Sequence, residues 1–139
     1  MTTKDKQTLL QDLLARLPYG VVIKEEYGDY INVNIYNAHI EHLIDRISAG
    51  VDKLVLRPMS SMTDMEKQQF NLLSMNRIVS DGFGKDIQMF SLKCIDWLNA
   101  HHFDYFGLIE KGLALEAPEG IYKPLVKTSM NSSIYLCVN

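Results

Sequence analysis

The sequence predicts an α+β fold: a small antiparallel sheet of about three strands, with an N-terminal hairpin, packed against about four helices. Three observations carry this. Apolar residues recur at helical spacing in four separate segments, and Tyr30–Ile35 alternates apolar and polar residues with period two. Gly28 sits between that stretch and a second strand-like run, Tyr19–Ile23, where a hairpin would turn.

The first helix is predicted from about Thr3 to Leu17. Leu9, Leu10, Leu13, Leu14 and Leu17 make one wide apolar stripe, with Asp12 and Arg16 an i,i+4 ion pair on the other face. Pro18 stops the helix. In the hairpin, a three-residue loop, Glu26-Tyr27-Gly28, puts Gly28 at the left-handed position of a bulge. That register sets Tyr19, Val21 and Ile23 opposite Ile35, Val33 and Ile31, all apolar. A two-residue loop would set Lys24 opposite Ile31 and exchange the faces.

A second helix is predicted from Ala38 to Ser48, with Gly50 as its C-cap, and a third strand over Lys53–Arg57, stopped by Pro58. Thr63 and Glu66 have capping-box spacing and open a third helix running to about Val79, ended by Asp81-Gly82-Phe83-Gly84. The fourth helix is predicted from Ile87 to Ala100, with Ile87, Phe90, Cys94, Trp97 and Leu98 on one face. Beyond it Gly107, Gly112, Pro118 and Gly120 break the chain into turns, and Ser133–Val138 reads as an edge strand or a frayed tail.

The chain has 139 residues, of which 47% are hydrophobic and 22% charged, as expected of one globular domain that folds without metal or disulfides. We therefore expect a single domain over 1–139, with 123–139 an edge strand or a loosely attached tail. The net charge is −3 and no basic run stands out, which disfavours nucleic acid as a partner. Cys94 and Cys137 lie far apart and form no CxxC, and the N-terminus carries no apolar leader, so a reduced, cytoplasmic setting without a membrane span is expected.

Asp96–Tyr105 holds the densest chemistry: His101, His102 and Asp104 are the candidate metal ligands or acid–base groups. Adjacent histidines point in different directions, however, and Asp104 is equally suited to cap a turn. His39 and His42, at i,i+3 on the second helix, read as a solvated face, and Cys94 as core packing. Met59, Met62 and Met65 follow one another at three-residue intervals beside a helix N-terminus, and Glu25, Glu26 and Asp29 form an acidic hairpin tip.

Four stretches, Leu14–Val21 (LARLPYGV), Leu56–Thr63 (LRPMSSMT), Asp96–Tyr105 (DWLNAHHFDY) and Gly107–Pro118 (GLIEKGLALEAP), resemble a family of short uncharacterised proteins encoded by phages and mobile elements of anaerobic gut bacteria. The resemblance covers about half the chain, in the same order, and is poor around 22–53 and 67–92. The family has Arg where this chain has Phe106, and a terminus soon after Tyr122, so Phe106 and the tail from Lys123 are departures. It implies an intracellular accessory protein and supplies no catalytic residue.

The expected function is thus non-catalytic: binding of a host or element-encoded protein, with a homo-oligomer left open and no cofactor. The expected contact surface joins Arg57, Met59, Ser60 and Met62 to His101, His102, Asp104 and Tyr105. The alternative is a small metal-binding or acid–base enzyme built on His101, His102 and Asp104.

Overall fold

In the computed structural model, which describes residues 1–74, 78–80, 86–88 and 92–126, the first helix is α1, Thr3–Arg16. Thr2 and Asp5 close a reciprocal capping box at its start, with N–H to oxygen distances of 3.0 and 3.2 Å. Leu9, Leu13 and Leu17 are buried, whereas Leu14 is half exposed. Asp12 and Arg16, expected on the solvent side, are fully buried instead. Positions 9, 12, 13 and 16 share one helix face, so the ion pair takes the place beside the core that Leu14 gives up. Arg16 Nε and Nη2 donate to the Asp12 carboxylate at 2.6 and 2.9 Å, and Nη2 also donates to the Phe103 carbonyl at 2.5 Å.

The hairpin of β1, Val21–Lys24, and β2, Tyr30–Val33, has the predicted register at Val21 with Val33 and Ile23 with Ile31, but the strands stop short of the expected Tyr19–Ile35 pair. Lys24 faces Tyr30, not Ile31. The Gly28 N–H donates to Glu25 O and the Glu25 N–H to Asp29 O, enclosing a three-residue loop with Gly28 at φ +96°. Helix α2, Ile40–Ser48, begins two residues later than predicted and ends before Gly50, whose φ is +76°.

Strand β3, Lys53–Pro58, is the centre of the sheet, and here the expectation of about three antiparallel strands is corrected. The antiparallel part β2-β1-β3 is present, but β6, Phe103–Asp104, and β7, Ala114–Glu116, add to β3 in parallel, giving a mixed sheet of five strands. The two added strands are two and three residues long, and Ala114-Leu115-Glu116 has little intrinsic strand preference. They are strands because β3 offers its edges to them.

The described residues form two compact units, the first made of Met1–Ser61 and Asn99–Lys123, the second of Met62–Leu98 and the segment from Pro124. The first holds the five-stranded sheet with α1 and α2, its core built on Leu9, Leu13, Ile23, Ile47, Leu54, Leu56 and Leu108. A short 3-10 turn, Met59–Ser61, follows β3.

In the second unit, α3, Asp64–Ser74, opens on the predicted capping box: the Glu66 N–H donates to Thr63 Oγ1 at 3.2 Å and the Thr63 N–H to Glu66 Oε1 at 2.9 Å. The helix does not reach Val79. Ile78–Ser80 (β4) pairs antiparallel with Asp86–Gln88 (β5), with Val79 opposite Ile87. Short runs of β-branched residues suit either structure, and pairing decides for strand. For the same reason the fourth helix, α4, starts at Leu92 rather than Ile87 and runs to Ala100. Its Cys94, Trp97 and Leu98 are buried as predicted, and the Trp97 indole N–H donates to Gln69 Oε1 at 3.0 Å. Phe90, the Asp81–Gly84 turn, Cys137 and Ser133–Val138 lie outside the described residues.

The buried pair makes a direct prediction. Asp12→Ala leaves the Arg16 guanidinium buried without its carboxylate and should cost about 3–5 kcal/mol in chemical denaturation. Replacing both, Asp12→Leu with Arg16→Met, should cost less than the single change; a double variant worse than Asp12→Ala would refute the pairing argument.

Candidate functional site

Three strands pair with β3, which has only two edges. Successive residues of a strand direct their N–H and C=O to opposite edges. The Arg57 N–H donates to His102 O at 2.8 Å, on the β6 side, while Leu56 O accepts from the Ala117 N–H at 2.8 Å, on the β7 side. Val55, two residues before Arg57, therefore faces the β6 side, and it is also the partner of Val22 in β1. So β1 and β6 lie along the same edge of β3. Tyr122 occupies the junction, its hydroxyl accepting from the Val22 N–H at 2.7 Å and donating to Val55 O at 2.6 Å. Burial pushes the phenol up to about 12, so it stays a donor at any ordinary pH.

The predicted candidates gather around this junction. Pairing of Arg57 with Phe103 and of Pro58 with Asp104 brings the Arg57–Ser61 segment to His101–Tyr105. The arrangement is internal rather than open, however. Arg57 and Asp104 are buried, and His101, His102, Tyr105 and Met59 are half-buried; Ser60 is exposed, and Met62 belongs to the second unit. The Arg57 guanidinium lies 4.1 Å from the Phe103 ring centroid and donates to His101 O at 3.3 Å. Asp104 accepts the Leu108 and Ile109 N–H groups, one on each oxygen, both at 2.9 Å, which makes it the cap of the turn that follows.

His102 holds a left-handed backbone, φ +67°, just past the end of α4, a position usually given to Gly or Asn. Its ring stacks on Tyr122 with centroids 3.9 Å apart and planes 10° from parallel. Burial first, then the positive charges of Arg16, His101 and Arg57, lower it to about 4, so it is neutral at pH 7. Among the described residues its Nδ1 has no hydrogen-bond partner, nor has the Nη1 of Arg16. Tyr105 completes the group, its hydroxyl donating to Asn99 Oδ1 at 2.9 Å and its ring lying 5.3 Å from the Arg16 guanidinium. Burial raises the Asp12 carboxyl, against the hydrogen bonds and charge of Arg16.

Among the described residues no group of three or more His, Cys, Asp or Glu side chains is placed to hold a metal ion. His39 and His42 are far from this junction in role: both are exposed and line a crevice of about 140 Å³ between β2 and α2. Their exposure is that expected of a solvated face, which here also lines the crevice. Comparison with protein-family models, curated proteins and solved structures finds no match to this chain.

A second surface was not legible as a site. After β2, Asn34 and Asn37 clamp a turn: the Asn34 N–H donates to Asn37 Oδ1 at 2.8 Å, and Asn34 Oδ1 accepts the N–H groups of Tyr36 and Asn37 at 2.8 and 3.1 Å. Asn37 Nδ2 also donates to Asn32 O at 3.1 Å. The clamped turn holds Ile35 50% and Tyr36 91% exposed; Tyr27 at the hairpin tip is 89% exposed. The signal was present as Asn34-x-x-Asn37, a pair whose side chains mimic backbone in turns. At the base of the hairpin tip, Arg46 Nε donates to Asp52 at 2.8 Å and Nη2 reaches Glu26 at 3.4 Å, so part of the acidic tip is paired rather than merely solvated.

His102 predicts a pH dependence. Its folded value lies below the unfolded value of about 6.5, so the unfolded chain takes the proton first. Its contribution is complete above pH 6.5 and is lost as pH falls toward 4, a loss of about 3 kcal/mol. Denaturation of His102→Asn, which tolerates the left-handed backbone, should show a smaller decline over that window than wild type. Equal slopes would reject this assignment. Tyr122→Phe keeps the stack but strands Val22 N–H and Val55 O, and should cost about 2–6 kcal/mol at pH 7.

Proposed function

We propose that the protein is a non-catalytic, cytoplasmic accessory protein of a phage or mobile element that acts by binding a host or element-encoded protein. The resemblance supports the origin. The observation that supports binding is the Asn34–Asn37 clamp, which fixes the backbone that carries an apolar and an aromatic side chain in water. Holding them rigid lowers the entropy lost when a partner covers them, and tyrosine is favoured at the energetic centre of interfaces. At 91% exposed, the Tyr36 ring gains little packing from the described residues. Among the described residues no helix is long and apolar enough to cross a membrane, which fits a partner met in solution.

Acid–base or metal chemistry at His101, His102 and Asp104 has less support, because both Asp104 oxygens are occupied by backbone N–H groups and His102 is stacked. The test is affinity capture of tagged full-length protein from the lysate of its native host. A stoichiometric protein partner, retained by wild type and reduced at least tenfold by Tyr36→Ser, is the expected result. Bait that returns nothing, or capture indifferent to both Tyr36→Ser and Tyr27→Ser, would overturn the assignment of this surface.

A further inference from the structure

The crevice beside the clamped turn specifies what kind of segment binds. Its floor is apolar, made by Ile31 and Val33 of β2 with Ala38 and Leu43, and its volume is about 140 Å³. That is well below the roughly 300–1,000 Å³ of pockets that enclose whole small ligands. At about 30 Å³ for each water it holds only four or five, the space of one large apolar side chain. Waters over an apolar floor find few partners, so a side chain that displaces them gains affinity.

The wall is acidic. Arg46 is matched by Asp52 and Glu26, and Asp52 receives the Glu26 N–H as well, at 3.2 Å. Glu25, half-buried on the same wall, has no ion pair among the described residues. Asp29 at the hairpin tip and Glu41 and Asp45 on α2 are exposed. A carboxylate left over beside an apolar hole selects for a cation next to the group that fills it.

The backbone excludes the other common way in. Tyr30 and Asn32 direct their N–H and C=O away from β1, toward the outer edge of β2. Asn37 already occupies that edge at Asn32 O and at the Asn34 N–H, so an added strand finds the edge blocked where the crevice lies. Entry is by side chain.

We infer that the β2–α2 crevice is the docking site for a basic segment of a protein partner, which inserts one Leu- or Phe-sized side chain between Val33 and Leu43 and sets an adjacent Lys or Arg on Glu25. This rests on the binding role proposed above and names the anchor and the charge of the partner.

The test uses the full-length, ¹⁵N-labelled protein titrated with three synthetic decapeptides. One carries a single Phe flanked by Arg, the second has that Phe replaced by Ala, and the third has the Arg residues replaced by Glu. The expected result is amide shifts at Ile31, Val33 and Leu43 with the first peptide, and at least tenfold weaker binding of the other two. Ala38→Trp, which fills the hole, should abolish the shifts, and Glu25→Gln should weaken binding several-fold; thermal unfolding of both variants checks that they fold. Equal binding of the Glu peptide, or shifts confined to other residues, would overturn the inference. So would concentration-dependent shifts of the protein alone at the crevice, because a second copy would then be the occupant. If the lysate partner is still captured by Ala38→Trp, the binding role stands and the crevice assignment falls. If capture fails for wild type while the Phe peptide still binds at the crevice, the docking site stands and the lysate evidence for a partner falls.

Discussion

Strand β3 carries three partners on two edges, and the first unit is arranged around that excess. Its antiparallel partner β1 and its parallel partner β6 lie on one edge, and two strands of opposite direction cannot continue one another's hydrogen-bond ladder. Where they meet, Val22 N–H and Val55 O fall to neither, and a buried amide and carbonyl left unpaired cost about 1–3 kcal/mol each. One hydroxyl, both acceptor and donor, answers both groups, and a phenol can bring it in on a flat ring. The stacked ring of His102 follows, and the left-handed turn at His102 aims the chain into β6. Arg16 then closes the far side by donating to the Phe103 carbonyl, with Asp12 holding its fork in place. A two-residue strand persists there because the Phe103 carbonyl and the Asp104 carboxylate find partners of the right kind, while His102 Nδ1 and Arg16 Nη1 stay open among the described residues.

This chain of dependence explains which parts of the fold were legible. Period-two alternation set the hairpin register correctly because a one-residue slip would have turned Ile31 and Val33 to solvent. The capping box at Thr63 and Glu66 is a local motif and was found at once. By contrast β6 and β7 leave no local trace: Phe103-Asp104 and Ala114-Leu115-Glu116 become strands only through pairing with residues some fifty positions away. The helices predicted to Val79 and from Ile87 failed at their inner ends for a related reason, since Val79 and Ile87 satisfy each other across a ladder. Asp12 and Arg16 show the limit of a helical wheel. An ion pair at i,i+4 looks the same in sequence whether it faces water or a carbonyl in the core.

The candidate site divides similarly. The capping role of Asp104 was readable, and so was the meeting of Arg57 with His101–Tyr105 as a condition, though not that meeting would bury Arg57 and Asp104. Tyr122 was not marked at all, because its use depends on a gap that exists only in the assembled sheet. The alternation puts Asn34 in the strand, and its turn with Asn37 appears only in three dimensions: together they hold Tyr36 out and block the edge of β2.

Both ends of the first unit break ordinary rules, and such departures mark either function or a local structural demand. At the β3 junction most departures are answered among the described residues, with Arg16 Nη1 and His102 Nδ1 left open. Arg16 has Asp12, Tyr122 has Val22 and Val55, and the depressed His102 is neutral, so its open Nδ1 costs little beside a buried charge. The strain at φ +67° is on the order of 1–2 kcal/mol, a scale that ring stacking offsets in part. At the hairpin and α2 the departures are not answered. An exposed Ile and Tyr on a clamped turn, an apolar crevice the size of one side chain, and a half-buried glutamate without a cation among the described residues each lack something of definite chemistry, and the three deficits are complementary to the proposed basic segment with an apolar anchor. The proposed binding role therefore falls where the described residues leave the account open, not where they close it.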